Sequence, residues 1–465
     1  MRETQNNRKN PIGRFANALI TTVTLGAISI AASAQTPASL TSPPNIVLPN
    51  YTGIPIGPFA GLEGGAYVAR IDDPAAAWFN PAGLSRITGA QISGSAGLYQ
   101  YTKLQPKNSK NASSAVEHVP NLVGFTGPAN PKLTFGGAIL TPVSWNQRTN
   151  IEIFPTTSGN PERVSYNATA EFSRRVVAAS AGYDSKKNWR VGGGLTMLYT
   201  SLTMGQSISD RIATPTGIQT LLVASAVRGS DFKIGAVGGV QVDVHPKIRI
   251  GGVFRTSGFS LYRSGSASLD GTSKNGSASL GASFFDQEAD FHYKLPFEAT
   301  GAIAYTGSRG EIEVDVHGFT SISPYTILAS TASQAIYQDD GTGGPPVILK
   351  EPFKGLTSAS RSIANVSAGG RYKLFQNREL RLHFGFASDL SPVAPEDQIF
   401  DKVDLAAWTI GISGKAQKLT YAAGFNYRSG TSDNFTVPNV ISGQPVETNI
   451  HIRTTGMIYS LSYNF

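Results

Sequence analysis

The sequence predicts an all-β fold: a transmembrane antiparallel β-barrel of about fourteen strands with an N-terminal hatch, or plug, segment. Three observations predict it. From about Gly89 to the last residue the dominant hydrophobic period is two, that of strands with one apolar and one polar face. The connections between these runs alternate between tight turns and long segments rich in Gly, Ser, Thr, Pro and Asn, as on the two rims of outer-membrane barrels. The chain also opens on a segment with the composition of an export address.

That first segment carries Arg2, Arg8, Lys9 and Arg14, then the uncharged stretch 15–32, then Ala32-Ser33-Ala34 before Gln35. A basic start, an apolar middle and a small-residue end describe a secretory signal peptide over 1–34, cleaved after Ala34. Residues 35–88 are expected to form the hatch. Pro37, Pro43, Pro44, Pro49, Pro55 and Pro58 exclude 35–60 from a central strand, and no charge follows until Glu63. Asp73 before Pro74 marks a helix start, the Ala75–Ala77 run supports one or two turns, and Asn80-Pro81 stops them.

Residues 89–465 read as the barrel. The spans are about 89–102, 116–127, 132–148, 164–184, 188–206, 229–244, 247–268, 290–307, 309–320, 358–374, 378–390, 403–416, 418–430 and 450–465. Typical is Leu419, Tyr421, Ala423, Phe425 and Tyr427 against Lys418, Thr420, Asn426 and Arg428. Turns near 185, 245, 307, 376 and 416 are tight, whereas 207–228, 321–357 and 431–449 read as long loops. In an outer-membrane barrel the apolar face of each strand meets lipid and the polar face lines the lumen. The final run, Met457, Tyr459, Leu461, Tyr463 and Phe465, is apolar at every second position.

Composition removes other classes. The 465 residues are 40% hydrophobic and only 15% charged, and contain no cysteine, so a disulfide framework, a Cys-ligated zinc and a thiol nucleophile are excluded. No stretch after residue 35 reaches the roughly 18–20 apolar residues of a spanning helix. The net charge of +8 lies partly in the leader, and the remaining basic residues are scattered, so no nucleic-acid partner is expected. No Gly-x-Ser-x-Gly elbow, phosphate loop or clustered metal-ligand spacing occurs, and the six histidines are dispersed; neither enzyme activity, metal nor cofactor is expected.

The run 69–84, ending Trp78-Phe79-Asn80-Pro81-Ala82-Gly83-Leu84, resembles the signature of the FadL/TodX family of outer-membrane transporters for long-chain fatty acids and other hydrophobic compounds. Arg255-Thr256-Ser257-Gly258, Leu295-Pro296 and Asp389-Leu390-Ser391-Pro392-Val393 also resemble family positions. The terminal strand ending in Tyr463 and Phe465 resembles the assembly signal of bacterial outer-membrane barrels. The resemblance implies a Gram-negative outer-membrane location, a hatch inside a fourteen-stranded barrel and passive uptake of a hydrophobic small molecule. The ligand would be captured among outer loops, held in a lumen pocket and released sideways at a kinked third strand. It also implies outer-membrane lipid around a monomer, with the barrel-assembly machinery and periplasmic chaperones as partners during biogenesis.

Candidate residues follow. Asn80, Pro81 and Ala82 either gate the hatch near the kinked strand or only end a helix. Gly136, Gly137 and Pro142 are the kink candidates on strand three, because Gly and Pro weaken a ladder. Arg255, Arg263 and Arg428, with Arg249, are assigned by parity to the lumen, where they would hold a ligand carboxylate or pair with Glu311, Glu313 or Asp315. A general porin for small polar solutes and an outer-membrane adhesin are the alternative readings.

Overall fold

The structure, a computed structural model, describes residues 46–47, 50–52, 56–106, 113–154, 156–157, 159–215, 217–353, 355–397, 399–437 and 446–465. The expected signal peptide and its cleavage point at Ala34 lie outside these residues, as do most positions of the proline-rich stretch.

A closed antiparallel barrel of fourteen strands is the whole architecture. The strands are β1 (Gln91–Pro106), β2 (Ser113–Asn130), β3 (Leu133–Ile153), β4 (Asn160–Asp184), β5 (Trp189–Thr214) and β6 (Gly217–His245). Next come β7 (Ile248–Arg255 and Phe259–Asn275) and β8 (Ala278–Phe291 and Glu298–Thr306). β9 has the segments Gly310–Phe319, Ile322–Ala329 and Ser333–Asp339, and β10 has Val347–Pro352, Leu356–Ser360 and Ile363–Phe375. β11 (Arg378–Asp389), β12 (Asp404–Ala416), β13 (Leu419–Val437) and β14 (Val446–Asn464) complete the wall. β14 pairs with β1 from Asn464↔Gln91 upward, which closes the sheet and leaves no edge. Phe465 N–H continues that closure by donating to Ala90 O at 3.0 Å.

The lower part of the wall, next to the tight turns, is apolar outside. On β5 the outward residues run Trp189, Val191, Leu195, Met197 and Tyr199, with Leu195 64% exposed. Ten steps of about 3.3 Å, tilted by ~40°, make this band roughly 25 Å tall, the height of a hydrocarbon layer. Exposed apolar side chains in this position are explained by lipid, so the barrel is of the outer-membrane type.

Above the band the polarity inverts. On β5 the outward residues become Ser201, Thr203, Ser207, Ser209 and Arg211, while Leu202, Met204, Ile208 and Ile212 turn inward beside the buried Gln206 and Asp210. β4 does the same, with Arg163, Asn167, Thr169 and Glu171 outside and Val164, Tyr166, Ala168 and Phe172 inside. Leu202, Met204, Ile208, Val164, Tyr166, Ala168 and Phe172 join one hydrophobic cluster with Trp145, Leu221, Val223, Phe284 and Phe291. The expected loops 207–228 and 321–357 are therefore mostly strands, as is much of 431–449; residues 438–445 lie outside the described residues. Their Gly, Ser and Thr mark the outer face of a folded head rather than loop.

Residues 56–88 fill the lower lumen. Two 3-10 turns (Ala60–Glu63 and Pro81–Arg86) flank one short helix, α1 (Ala76–Phe79). Asp73 opens a turn just before the helix rather than capping it: Oδ1 accepts from Ala75 N–H at 2.8 Å and its carbonyl from Ala76 N–H, while Ala75 is the N-cap of α1 and carries no side-chain cap. Asn80 ends it with extended backbone. Glycines on the wall let the segment lie flat. Gly182, Gly192 and Gly239 are register neighbours across β4, β5 and β6. A Cβ on Gly192 would stand 2.3 Å from Pro81 C, so no other residue fits without displacing the chain. Gly369 and Gly385 make the same kind of seat for Glu63 on the far wall.

Candidate functional site

The lumen segment is held by charge as well as by close contact. Arg70 is fully buried and donates to Glu63 (2.5 Å), Glu313 (2.8 Å), Glu311 (3.3 Å) and Ala66 O (2.9 Å). Glu313 also accepts from Ala69 N–H at 2.6 Å, and Asp315 accepts from Tyr67 N–H at 3.2 Å. Arg371 pairs with Glu311 at 2.7 Å, and His383 Nδ1 lies 2.8 Å from Glu63 Oε1. Burial pushes the Glu63 carboxyl up, but Arg70, His383 and Arg371 together pull it down to about 2. Asp73 lacks such partners. Burial, reinforced by Asp72, raises it to about 7 against the pull of the Ala75 N–H. Glu311 and Glu313 are thus met by Arg70 and Arg371, and Asp315 by the backbone of Tyr67 and Val68, not by the arginines that parity assigned to them.

Asn80 anchors the end of the helix to the wall. Its Nδ2 donates to Val68 O (3.0 Å) and Val240 O (3.1 Å), and its Oδ1 accepts from Ala82 N–H (3.2 Å). Asn80, Pro81 and Ala82 therefore sit against Gly182, Gly192 and Gly239 of β4 to β6. β3 is touched instead by Leu84, whose side chain packs on Gly136.

On β3 the glycines and the proline play different parts. Gly136 and Gly137 pair in register with both neighbours, Gly136 facing inward and Gly137 outward under Phe125. The irregularity lies at Pro142: the ladder to β4 shifts between Leu140 and Val143. There the inward set changes from Thr134, Ala138 and Leu140 to Val143, Trp145 and Gln147. The ladder from β2 to β3 ends at Leu122↔Leu140, beyond which β2 pairs only with β1 and β3 only with β4. A proline at this point cannot donate to a ladder, so the seam opens where the sequence removes a donor.

Above the lumen segment, at the level where the wall changes polarity, is a cavity of about 150 Å³. Trp78, Phe79, Ile56, Leu198, Leu295 and Phe319 give it an apolar lining, and Pro142 reaches its wall. Three arginines line it: Arg174, Arg255 and Arg428. Arg255 is already engaged. It pairs with Glu298, donates to Trp78 O (2.9 Å) and Phe79 O (3.2 Å), and lies 4.5 Å from the Trp78 ring centroid. It thereby satisfies the carbonyls left open at the end of α1. Arg428 pairs with the buried Asp389, although its Nε makes no hydrogen bond. Arg174 is buried with Tyr293 as its hydrogen-bonded neighbour, its Nε is unsatisfied, and no carboxylate lies within 4 Å among the described residues.

Arg263 does not line this cavity; it lies in a separate notch with Lys233 and Lys294, partly exposed and 3.2 Å from Asp290. β7 breaks at 256–258, where Gly258 has φ +70°, and its ladder to β6 shifts between Ser260 and Tyr262, yet Arg263 pairs with Asp231 as Arg255 pairs with Val237, on the same buried face of β6. Arg249 does face inward, at the turn end, where it joins Arg86 and Arg190 on Asp243. Arg174 is the cation that sequence reasoning passed over. The available signal was a basic residue inside the otherwise apolar series Phe172, Arg174, Val176. Tyr463 and Phe465 lie on the outer face at the turn rim, edge to face with centroids 5.1 Å apart.

A closed barrel with an apolar outer band, an occupied lower lumen and an apolar cavity above it defines the class of outer-membrane β-barrels with a segment inside the lumen. Within that class, the fold is that of the FadL-type channels. A Pseudomonas aeruginosa FadL homologue superposes with a TM-score of 0.56 at 12% identity, covering 91% of this chain and 100% of that one. The Pseudomonas putida toluene transporter TodX gives 0.55 at 15% identity, with 91% and 100% covered. The Ralstonia pickettii toluene transporter TbuX gives 0.52 at 16%, with 90% and 99% covered. No family model matches the sequence, and no curated protein matches it significantly.

Proposed function

We propose that the chain is an outer-membrane channel for passive uptake of hydrophobic small molecules, of the FadL/TodX kind, in a Gram-negative cell. The observation that carries this reading is the apolar cavity between the lumen segment and the β2–β3 seam. A hydrophobic molecule gains about 0.8 kcal/mol for each CH₂ it buries there, which a polar lipopolysaccharide layer cannot offer. A ligand bearing a carboxylate would be anchored by Arg174, the lining arginine without an acid partner, with Arg428 second; Arg255 is expected to serve structure. Ligand would enter from the head, dwell in the cavity and leave sideways past Pro142, with Asn80, Pro81 and Ala82 holding the lumen segment shut below. Tyr463 and Phe465 would be read by the assembly machinery, and the barrel would act as a monomer.

The test is uptake of a labelled long-chain fatty acid and of toluene, side by side, in cells lacking their own transporter. Entry of either above the empty-vector rate supports the channel, and their ratio sets the substrate class. Arg174→Ala is expected to slow the acid about tenfold while leaving toluene unchanged, the loss of one charge-assisted hydrogen bond. Passage of small sugars without either substrate would replace this reading by that of a general porin.

A further inference from the structure

The wall has a second interruption, between β7 and β8, four strands on from Pro142. The ladder between β7 and β8 runs up to Arg255↔Glu298 and resumes only at Gly265↔Ala289. Between these pairs neither strand bonds the other. β9 and β10 break at the neighbouring positions, 320–321 and 361–362.

This gap is built rather than frayed. Residues 292–297 of β8 leave the ladder, yet their backbone donors are met mostly by side chains. Tyr293 N–H donates to Asp231 (3.0 Å), Lys294 N–H to the Tyr325 hydroxyl (3.2 Å) and Phe297 N–H to Thr320 Oγ1 (3.0 Å). Pro296 has no donor to satisfy. The gap opens into a notch lined by Leu295 and Pro296. The same two residues line the lumen cavity. They are therefore the partition between the cavity and the notch.

The notch combines two chemistries. Phe259, Leu261 and Tyr262 present exposed apolar surface. Lys233, Arg263 and Lys294 supply three cations. Lys233 is held by Asp231 (3.0 Å) and Arg263 by Asp290 (3.2 Å). Lys294 has no acid partner among the described residues and lies 4.8 Å from the Tyr325 ring centroid. The notch stands just above Phe254 and Phe297, whose rings stack on the outer face at the top of the apolar band. An anionic head at Lys294 would thus sit at the interface, with its tail pointing either to lipid or to the cavity.

We propose that this notch is a second lateral portal, gated by Leu295-Pro296, through which an acyl chain carrying one carboxylate passes between the cavity and the outer leaflet, its head held by Lys294. The portal rests on the reading of the chain as a hydrophobic-compound channel. Because the sequence contains no cysteine, Ser257→Cys on the rim gives a single thiol that can be blocked in the folded protein with a bulky maleimide. Unblocked Ser257→Cys is expected to take up labelled oleate like the parent, and blocking is expected to slow it several-fold. Blocking Thr203→Cys, exposed on the outside of β5, is expected to change nothing. Lys294→Glu is expected to slow oleate several-fold and leave toluene unaffected. Parent-like uptake by blocked Ser257→Cys would overturn the portal and leave the channel standing. If the parent itself takes up neither substrate, the channel reading fails and the portal with it. If Lys294→Glu loses co-purifying lipopolysaccharide while uptake is unchanged, the cations hold a resident lipid and the portal is again overturned.

Discussion

The lower band and the upper head of this barrel are made by the same strands, yet they are built inside out with respect to each other. On β5 the outward face runs from Leu195 to Tyr199 in the band and from Ser201 to Arg211 in the head, without a bulge between them. The inward face changes in the opposite sense, from Arg190 and Thr196 to Met204 and Ile208. A period of two says that a segment is a strand; it does not say which medium lies on which side. Lipid outside and a charged lumen segment inside select one polarity, and water outside with a self-packed core selects the other.

The largest effect that tests this comparison is expected inside the head. Phe172 is buried there against Tyr293, with ring centroids 5.3 Å apart. Phe172→Ala is expected to cost about 3–5 kcal/mol, the usual loss for an emptied aromatic site. It should be read as an earlier midpoint in urea unfolding from vesicles. If the head were a set of loose loops, the same change would cost almost nothing.

The next effect lies on the outside of the band. Leu195→Arg faces hydrocarbon and is expected to cost about 2–4 kcal/mol, whereas Ser207→Arg, on the same face of the same strand in the head, should stay within about 0.5 kcal/mol. Equal costs at the two positions would remove the inversion, because both would then face one medium.

How much of this could be read from the sequence follows from the same contrast. The strands were legible wherever an apolar face alternates with polar residues, and the expected span 378–390 falls within one residue of Arg378–Asp389. The strands of the head were read as loops at 207–228 because Ser207, Ser209 and Thr214 suggest turns, while Ile208 and Ile212 were too sparse to register. The arginines show the limit of parity. It assigns Arg255, Arg263 and Arg428 to one face, but the break at Gly258, a tertiary event that no local pattern announces, carries Arg263 to the notch while Arg255 and Arg428 line the cavity. Arg174 was invisible for the converse reason. Its face is apolar on both sides, and only the inversion of polarity brings that face to the cavity.

Inside the band, the lumen segment provides the third test. Asn80→Ala removes the bonds to Val68 O and Val240 O and leaves both acceptors buried, a loss of about 1–3 kcal/mol. Small-solute leakage through the purified barrel is expected to rise, because the segment loses its tie to β6. An unchanged leak would mean that the glycine seats and the Arg70 cluster hold it unaided.

The smallest expected effect depends on pH and separates the two charged ends of the lumen segment. Glu63 is held down to about 2 by Arg70 against its burial, so its stabilisation is present above the ordinary carboxyl range and is lost as pH falls towards 2. Asp73 is raised to about 7 by burial and by Asp72, and its Oδ2 has no partner. The sign is therefore reversed: its neutral form is tolerated, its contribution is complete below about pH 4, and it is lost as pH rises through 7. Asp73→Asn keeps an acceptor for Ala75 N–H and cannot ionise. It is expected to raise the thermal midpoint at pH 8, by an amount of order 1 kcal/mol, and to do little at pH 4. Glu63→Gln should be destabilising at both values, since Arg70 and His383 would face a neutral amide. An Asp73→Asn gain that is equal at pH 4 and pH 8 would show that its carboxylate is not what the buried segment resists.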